Sequence, residues 1–369
     1  MPTTVNKAEF PNYWWHWQDW PVPTMPDIPA AEVPWGWDTK AFWRQDATGK
    51  PVDAARTAAL KAVDVPVGVA AGGPPWAGST YGMPYHLFNP QTRPKSVTRM
   101  LDTSREPTYG PWRWQPNFPW VGRDVQYATE AVPLPNVLRR EGDPGNSSDA
   151  HAYLVDTPMA ALWELYQAQH PGWTLAPGVE WTVSHSGGGR GVVRWDTSKS
   201  WLEPGQPMHG VVATGVPQFP MIGRFDEVLA MKPGATTGLG HVMFGVLPNY
   251  NPKIEGMARA SDGSSKAHPV YGGTIIRMKR EVALGVPAAS VARIVADTWS
   301  SHGWFQGDRN AWGKADTDGV GSSPLSMDRR WYEGTSTIKG LRDVPMHTIL
   351  GGVKRPILLS DFEVIVANS

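Results

Sequence analysis

Asp149-Ala150-His151-Ala152-Tyr153-Leu154-Val155-Asp156, followed by Leu162-Trp163-Glu164-Leu165-Tyr166, is the stretch on which the reading of the fold turns. Each segment holds a short apolar run rich in aromatic and aliphatic residues, and Thr157-Pro158 is a turn signal between them. Runs of this length bounded by turn residues read as strands, here 152–155 and 162–166. Working outward, Val192–Trp195, Val211–Thr214, Arg224–Leu229, His241–Leu247 and Thr274–Met278 repeat the pattern. Pro171-Gly172, Gly187-Gly188-Gly189, Pro204-Gly205 and Pro233-Gly234 separate them. Many short strands with such punctuation predict a mainly β protein, a β-sandwich or jelly-roll-like domain with long Pro-, Gly- and Trp-rich loops. Tyr153, Val155, Leu162 and Leu165 are expected in its core.

Few helices are expected. Asp53 is placed to cap a short helix over the alanine-rich 54–63. Val291, Ile294, Val295 and Trp299 recur at helical spacing, with Pro287 at the expected start and Gly303 at the end. A last strand is expected within Leu358–Val366.

The 369 residues allow one large domain or two ordinary ones. Charged residues are 18% of the chain against 39 glycines and 36 prolines, which argues against a helical bundle and suits a loop-rich β protein. Lysine plus arginine equals aspartate plus glutamate at 34 each, so the basic footprint of a nucleic-acid binder is absent. No cysteine is present, which removes disulfides, thiolate metal sites and a cysteine nucleophile. The N-terminus lacks a basic segment followed by an apolar one, so it does not read as a secretory signal. No apolar run approaches the length of a membrane span.

Residues 1–50 form a distinct segment. Seven of the 20 tryptophans lie there (Trp14, Trp15, Trp17, Trp20, Trp35, Trp37 and Trp43), interleaved with prolines. The expectation is an extended arm packed on its own domain or on a neighbouring subunit. Residues 51–369 read as a single large β-rich domain, with a linker-like stretch at 132–148 where it could divide.

No nucleophile elbow, phosphate loop, zinc-protease motif or dinucleotide fingerprint occurs. Asp149 and His151 share a face at the entrance of the 152–155 strand, with Asp156 on the other face at its far end. Asp/His pairs bind metal or other ligands or move protons, and they also make structural hydrogen bonds at strand ends. Arg224, Asp226 and Glu227 are the second concentration. An internal Arg–Asp pair explains them. So does a glycosidase carboxylate pair in which Asp226 or Glu227 works with Asp156 or Glu164, at a separation of roughly 5–10 Å. Asp226, Glu227, Asp156 and Glu164 are thus the candidate catalytic residues, and Asp149, His151, Arg224 and His241 the candidate ligand-binding ones. His241, between a glycine and an apolar run, also reads as a strand-end histidine. Asp316-Thr317-Asp318-Gly319 begins like a calcium loop but lacks its closing ligands, so neither a metal nor a cofactor is expected.

Several segments occur in the order of a known pattern. Asp149-x-His151 with Val155-Asp156, Leu162-x-Glu164-Leu165, Arg224-Phe225-Asp226-Glu227-Val228 and His241-x-x-Phe244 resemble segments of a family of uncharacterised actinobacterial secreted proteins. Tyr81-Gly82-Met83-Pro84-Tyr85 and Asp361-Phe362-Glu363-Val364 extend the resemblance over roughly residues 80–369. It departs at 209–217, where an aspartate of the family pattern is missing from His209-Gly210-Val211-Val212-Ala213-Thr214-Gly215. The tryptophan-rich arm and the missing signal and cysteines look more like actinobacteriophage minor tail proteins. That resemblance implies a virion tail protein with a structural or adhesive role. Its partners would be other virion proteins, further copies of itself and host cell-wall glycan, with neither nucleic acid nor a membrane span. A glycoside hydrolase of cell-wall polysaccharide and a ligand-free decoration protein are the alternatives.

Overall fold

The computed structural model describes residues 37–65, 67, 85–88, 90, 93–94, 98–102, 129–134, 138, 150–168, 181–183, 191–207, 209–223, 238–288, 291–309 and 357–367. The fold is sheet-rich with few helices. In chain order the strands are β1 (Tyr85–Phe88), β2 (Thr98–Asp102), β3 (Thr129–Val132), β4 (Ala152–Asp156), β5 (Ala161–Leu165), β6 (Trp181–Val183) and β7 (Val192–Asp196). There follow β8 (Met243–Leu247), β9 (Asn251–Ile254), β10 (Tyr271–Gly272), β11 (Ile275–Met278), β12 (Trp304–Arg309) and β13 (Phe362–Val364). The helices are α1 (Ala54–Ala59), α2 (Arg280–Leu284) and α3 (Val291–Ser301).

Two four-stranded sheets carry the core. The first runs β1-β4-β5-β7 and the second β13-β11-β12-β8, beside a three-stranded β3-β2-β6 sheet and the β9–β10 pair. The side-chain period of two sorts each strand of the first sheet. Tyr153 and Val155 of β4, Leu162 of β5, and Val193 and Trp195 of β7 face a middle cluster. Ala152, Leu154, Trp163 and Leu165 face an outer cluster with Val132, Leu134 and Leu138. The second sheet splits likewise. Phe244 and Phe305 join the middle cluster. Met243, Ile276, Met278, Trp304, Phe362 and Val364 pack with Ile294, Val295 and Trp299 of α3. The two sheets therefore share the middle cluster, and α3 covers the far side of the second.

The expected core residues Tyr153, Val155, Leu162 and Leu165 are all buried, in β4 and β5. Buried on both faces, these strands lose the polar alternation of a half-exposed strand. Asp53 caps α1, its carboxylate accepting from the Arg56 N–H at 3.0 Å. Gly303, with φ of 79°, ends α3 in the left-handed region; its N–H and that of His302 both donate to the Thr298 carbonyl.

Three expectations need correction. Val211–Thr214 is not a strand. Gly210 N–H donates to Gly215 O and Gly215 N–H to Val212 O, so the apolar run is curled into a buried loop. Pro287 lies in the turn after α2, and α2 itself had no expected counterpart because its apolar residues are too few to show a period. Residues 37–50, the described end of the 1–50 segment, are mostly turn and bend with a short 3₁₀ helix at Phe42–Arg44, and the rest of the expected arm lies outside the described residues. The rings within 37–50 are covered, with Trp37 and Trp43 in the middle cluster. Last, a jelly roll is antiparallel, whereas β1 pairs with β4, and β8 with β12, in parallel. Long excursions join those partners, which parallel pairing requires.

Candidate functional site

The β4–β5 register places Glu164 opposite Tyr153 and Leu162 opposite Val155. Glu164 therefore points into the middle cluster, where it is fully buried. Its carboxylate is surrounded by N–H donors. Oε1 accepts from the backbone of Gln218 at 2.8 Å and of Phe219 at 3.1 Å. Oε2 accepts from the Trp195 indole Nε1 at 3.0 Å. The backbone N–H of Val211 is a fourth partner. The Gln218 side chain accepts from the Tyr153 hydroxyl, which ties the same loop to β4.

The loop 209–221 is thus wrapped around one carboxylate. Its shape depends on two glycines. A Cβ at Gly210 would collide with the Val216 carbonyl, and Gly215 has φ of 72° with the His209 ring against it. The loop also reaches the second sheet. Thr214 donates from both N–H and Oγ1 to the Gly307 carbonyl, at 3.1 and 2.8 Å. Arg259 N–H donates to Thr214 O at 2.8 Å. The Arg259 guanidinium lies over Trp201, 4.7 Å from the ring centre, and Nη1 donates to Pro207 O.

Burial raises the Glu164 carboxyl to about 7, while the Trp195, Phe219, Gln218 and Val211 donors pull it back down. Burial, the larger effect, keeps the carboxyl protonated below about 7, and the N–H set fits the anion formed above it. With these acceptor sites engaged, Glu164 ties the loop to β5.

His151 precedes β4 on the Tyr153 face. Its ring is stacked parallel to Tyr153 at 6.2 Å and edge-on to Tyr166 at 4.9 Å. Nδ1 is buried with no hydrogen-bond partner among the described residues. Burial drives the imidazole down to about 3, so it is neutral at ordinary pH. His241 precedes β8, with Nδ1 on the Val242 carbonyl at 2.8 Å, a strand-end histidine.

Asp156 lies on the opposite face of the first sheet from Glu164, because the β4–β5 pairing sets it against Ala161. Arg93 Nε contacts both of its oxygens, at 3.0 and 2.8 Å. Asp156 and Glu164 thus share one hairpin on opposite faces, and the expected pairing of either with Asp226 or Glu227 reaches outside the described residues. Asp149, Arg224, Asp226 and Glu227 lie outside the described residues. Among the described residues no group of three or more His, Cys, Asp or Glu is gathered to hold a metal ion. Trp195, Gln218 and the 209–221 loop were not singled out by sequence. Their signal was Gly210 and Gly215 bracketing an apolar run, a better mark of a buried loop than of a strand.

Comparisons with protein-family models, curated proteins and solved structures find no match to this chain.

Proposed function

We propose that the chain is a phage virion minor tail protein, with a structural and adhesive role and with host cell-surface glycan as its ligand. The observation that carries this reading over an enzymatic one is the state of the described candidate carboxylates. Asp156 is held by Arg93 and Glu164 by N–H donors, so each carboxylate is already engaged within the fold. Glycoside hydrolysis needs two carboxyl groups across a shared substrate. Carboxylates engaged in this way position loops and strands instead. The tail assignment is supported by the ordered segments quoted above and by the tryptophan-rich residues 1–50, which suit a protein held among neighbours. The finer architecture belongs to the same reading: the two four-stranded sheets form a sandwich, supported by the cluster they share. Among the described residues no helix is long and apolar enough to cross a membrane.

The test uses the full chain and purified actinobacterial cell walls. Co-sedimentation with the walls, without release of reducing sugar, is the expected result. Sugar release that disappears in Asp226→Asn or Glu227→Gln, with folding intact, would replace this reading by the hydrolase. Antibody labelling of intact particles should place the chain on the tail.

A further inference from the structure

Away from Glu164, two other carboxylates meet at the end of β12. Asp262 comes from the loop between β9 and β10, and Asp308 from β12 where the pairing with β8 slips. A single backbone N–H, that of Arg309, lies 2.8 Å from Asp308 Oδ1 and 3.2 Å from Asp262 Oδ2. Two carboxylates that converge on one N–H repel each other as anions, and a proton shared between them relieves that repulsion. Asp262 is buried, and the Tyr250 hydroxyl donates to its Oδ1.

We propose that this shared proton is a latch: while it is bound, the 261–264 loop is closed onto the end of β12, and its loss opens the loop. The groups facing Asp262 among the described residues are few. Tyr250 comes from the segment before β9, and Asp308 and Arg309 from β12. The 209–221 loop contributes the Ala213 N–H, 3.2 Å from Asp308 Oδ2. Arg309 does not replace the proton. Its Nε is 3.9 Å from Asp262, its side chain is 39% exposed, and Nη1 also contacts Ser264 Oγ. Solvent screens a cation so placed. Tyr250 is held well above its ordinary value by burial and by the neighbouring Asp262 and Asp308, so it stays a neutral donor.

Burial, the largest cause, raises the Asp262 carboxyl above its ordinary value. A group whose folded value is raised favours the closed state at low pH and loses that contribution as pH rises through the folded value. The direction is therefore closed in acid and open toward alkali.

Hydrogen exchange of the full chain, read on the peptide covering 258–266 and corrected for the intrinsic rate, tests this. Ser264 N–H donates to Asn249 Oδ1 and Ser265 N–H to Tyr250 O in the closed loop. Between about pH 4 and pH 8, protection there should fall by up to about tenfold per pH unit once the shared proton begins to leave. A β4 peptide should not follow it. Asp308→Asn and Asp262→Asn each supply an amide donor that replaces the proton, and should flatten the profile. Corrected protection that stays constant in the wild type, or the same slope in either folded Asn variant, would overturn the proposal. The wild-type profile decides even where a variant fails to fold.

Discussion

Two buried residues on one face of the first sheet respond to protons in opposite senses. Glu164 has its folded value raised to about 7 by burial. Its contribution to stability is complete below the ordinary carboxylate range and is lost as pH rises toward 7. His151 has its folded value lowered to about 3. Its contribution is complete above about 6.5 and is lost as pH falls toward 3. His151→Phe keeps a ring against Tyr153 and Tyr166 and removes the Nδ1 that has no partner among the described residues. The variant should gain stability over the wild type as pH falls from about 6.5, measured by urea midpoints at a series of pH values. A constant difference would mean that His151 already has a partner or is hydrated. Glu164→Gln is a different case. Its amide donor would confront the Trp195 indole or a backbone N–H, and a buried donor left facing a donor costs about 1–3 kcal/mol. The loss should show as a lower urea midpoint, with the 209–221 loop more open to proteolysis. Unchanged stability would remove Glu164 as the anchor of the loop.

At the scale of elements, α2 and α3 are joined through one carboxylate. Asp297 is buried between Arg280 Nη1 at 2.6 Å and Arg293 Nε at 2.9 Å, and Arg293 Nη1 also donates to Val286 O in the turn between the helices. Removing one partner of a buried pair leaves an uncompensated charge. Asp297→Ala should therefore cost about 3–5 kcal/mol, read as a large fall in the thermal midpoint. A loss below about 1 kcal/mol would mean that solvent already screens the arginines. The same elements show what sequence could reveal. β4, β5, β7, β11 and α3 were legible because a run of apolar residues and its flanking turn signals agreed. Val211–Thr214 was misread because the apolar run and the two flanking glycines pointed to different structures, and the glycines prevailed. Glu164 was visible as a candidate only as a carboxylate within an apolar run. Its role was not visible, since its donors Trp195, Gln218 and Phe219 come from residues 31 to 55 positions away. Such long-range pairing leaves no local periodicity to read.

For the molecule as a whole, the decisive question is how much of the first 50 residues the fold requires. The described end of that segment is core. Phe42 lies 4.9 Å from Phe305 of the second sheet and 5.5 Å from Trp201, and Trp37 lies 6.0 Å from Trp195 of the first sheet. The segment is also bonded in place: Val242 N–H donates to Trp43 O, Ala47 N–H to Ser301 O, and Trp37 Nε1 to Lys199 O. Trp37, Phe42 and Trp43 therefore fill the space between the two sheets, and removing a buried aromatic side chain costs about 3–5 kcal/mol. Three such losses, about 9–15 kcal/mol together, are comparable to the roughly 5–15 kcal/mol by which domains are stable. Trp43→Ala alone should lower the urea midpoint strongly, and a chain starting at residue 51 should be insoluble or lack a cooperative melt. A soluble 51–369 chain that melts cooperatively near the full-length midpoint would show that the sheets close without these rings.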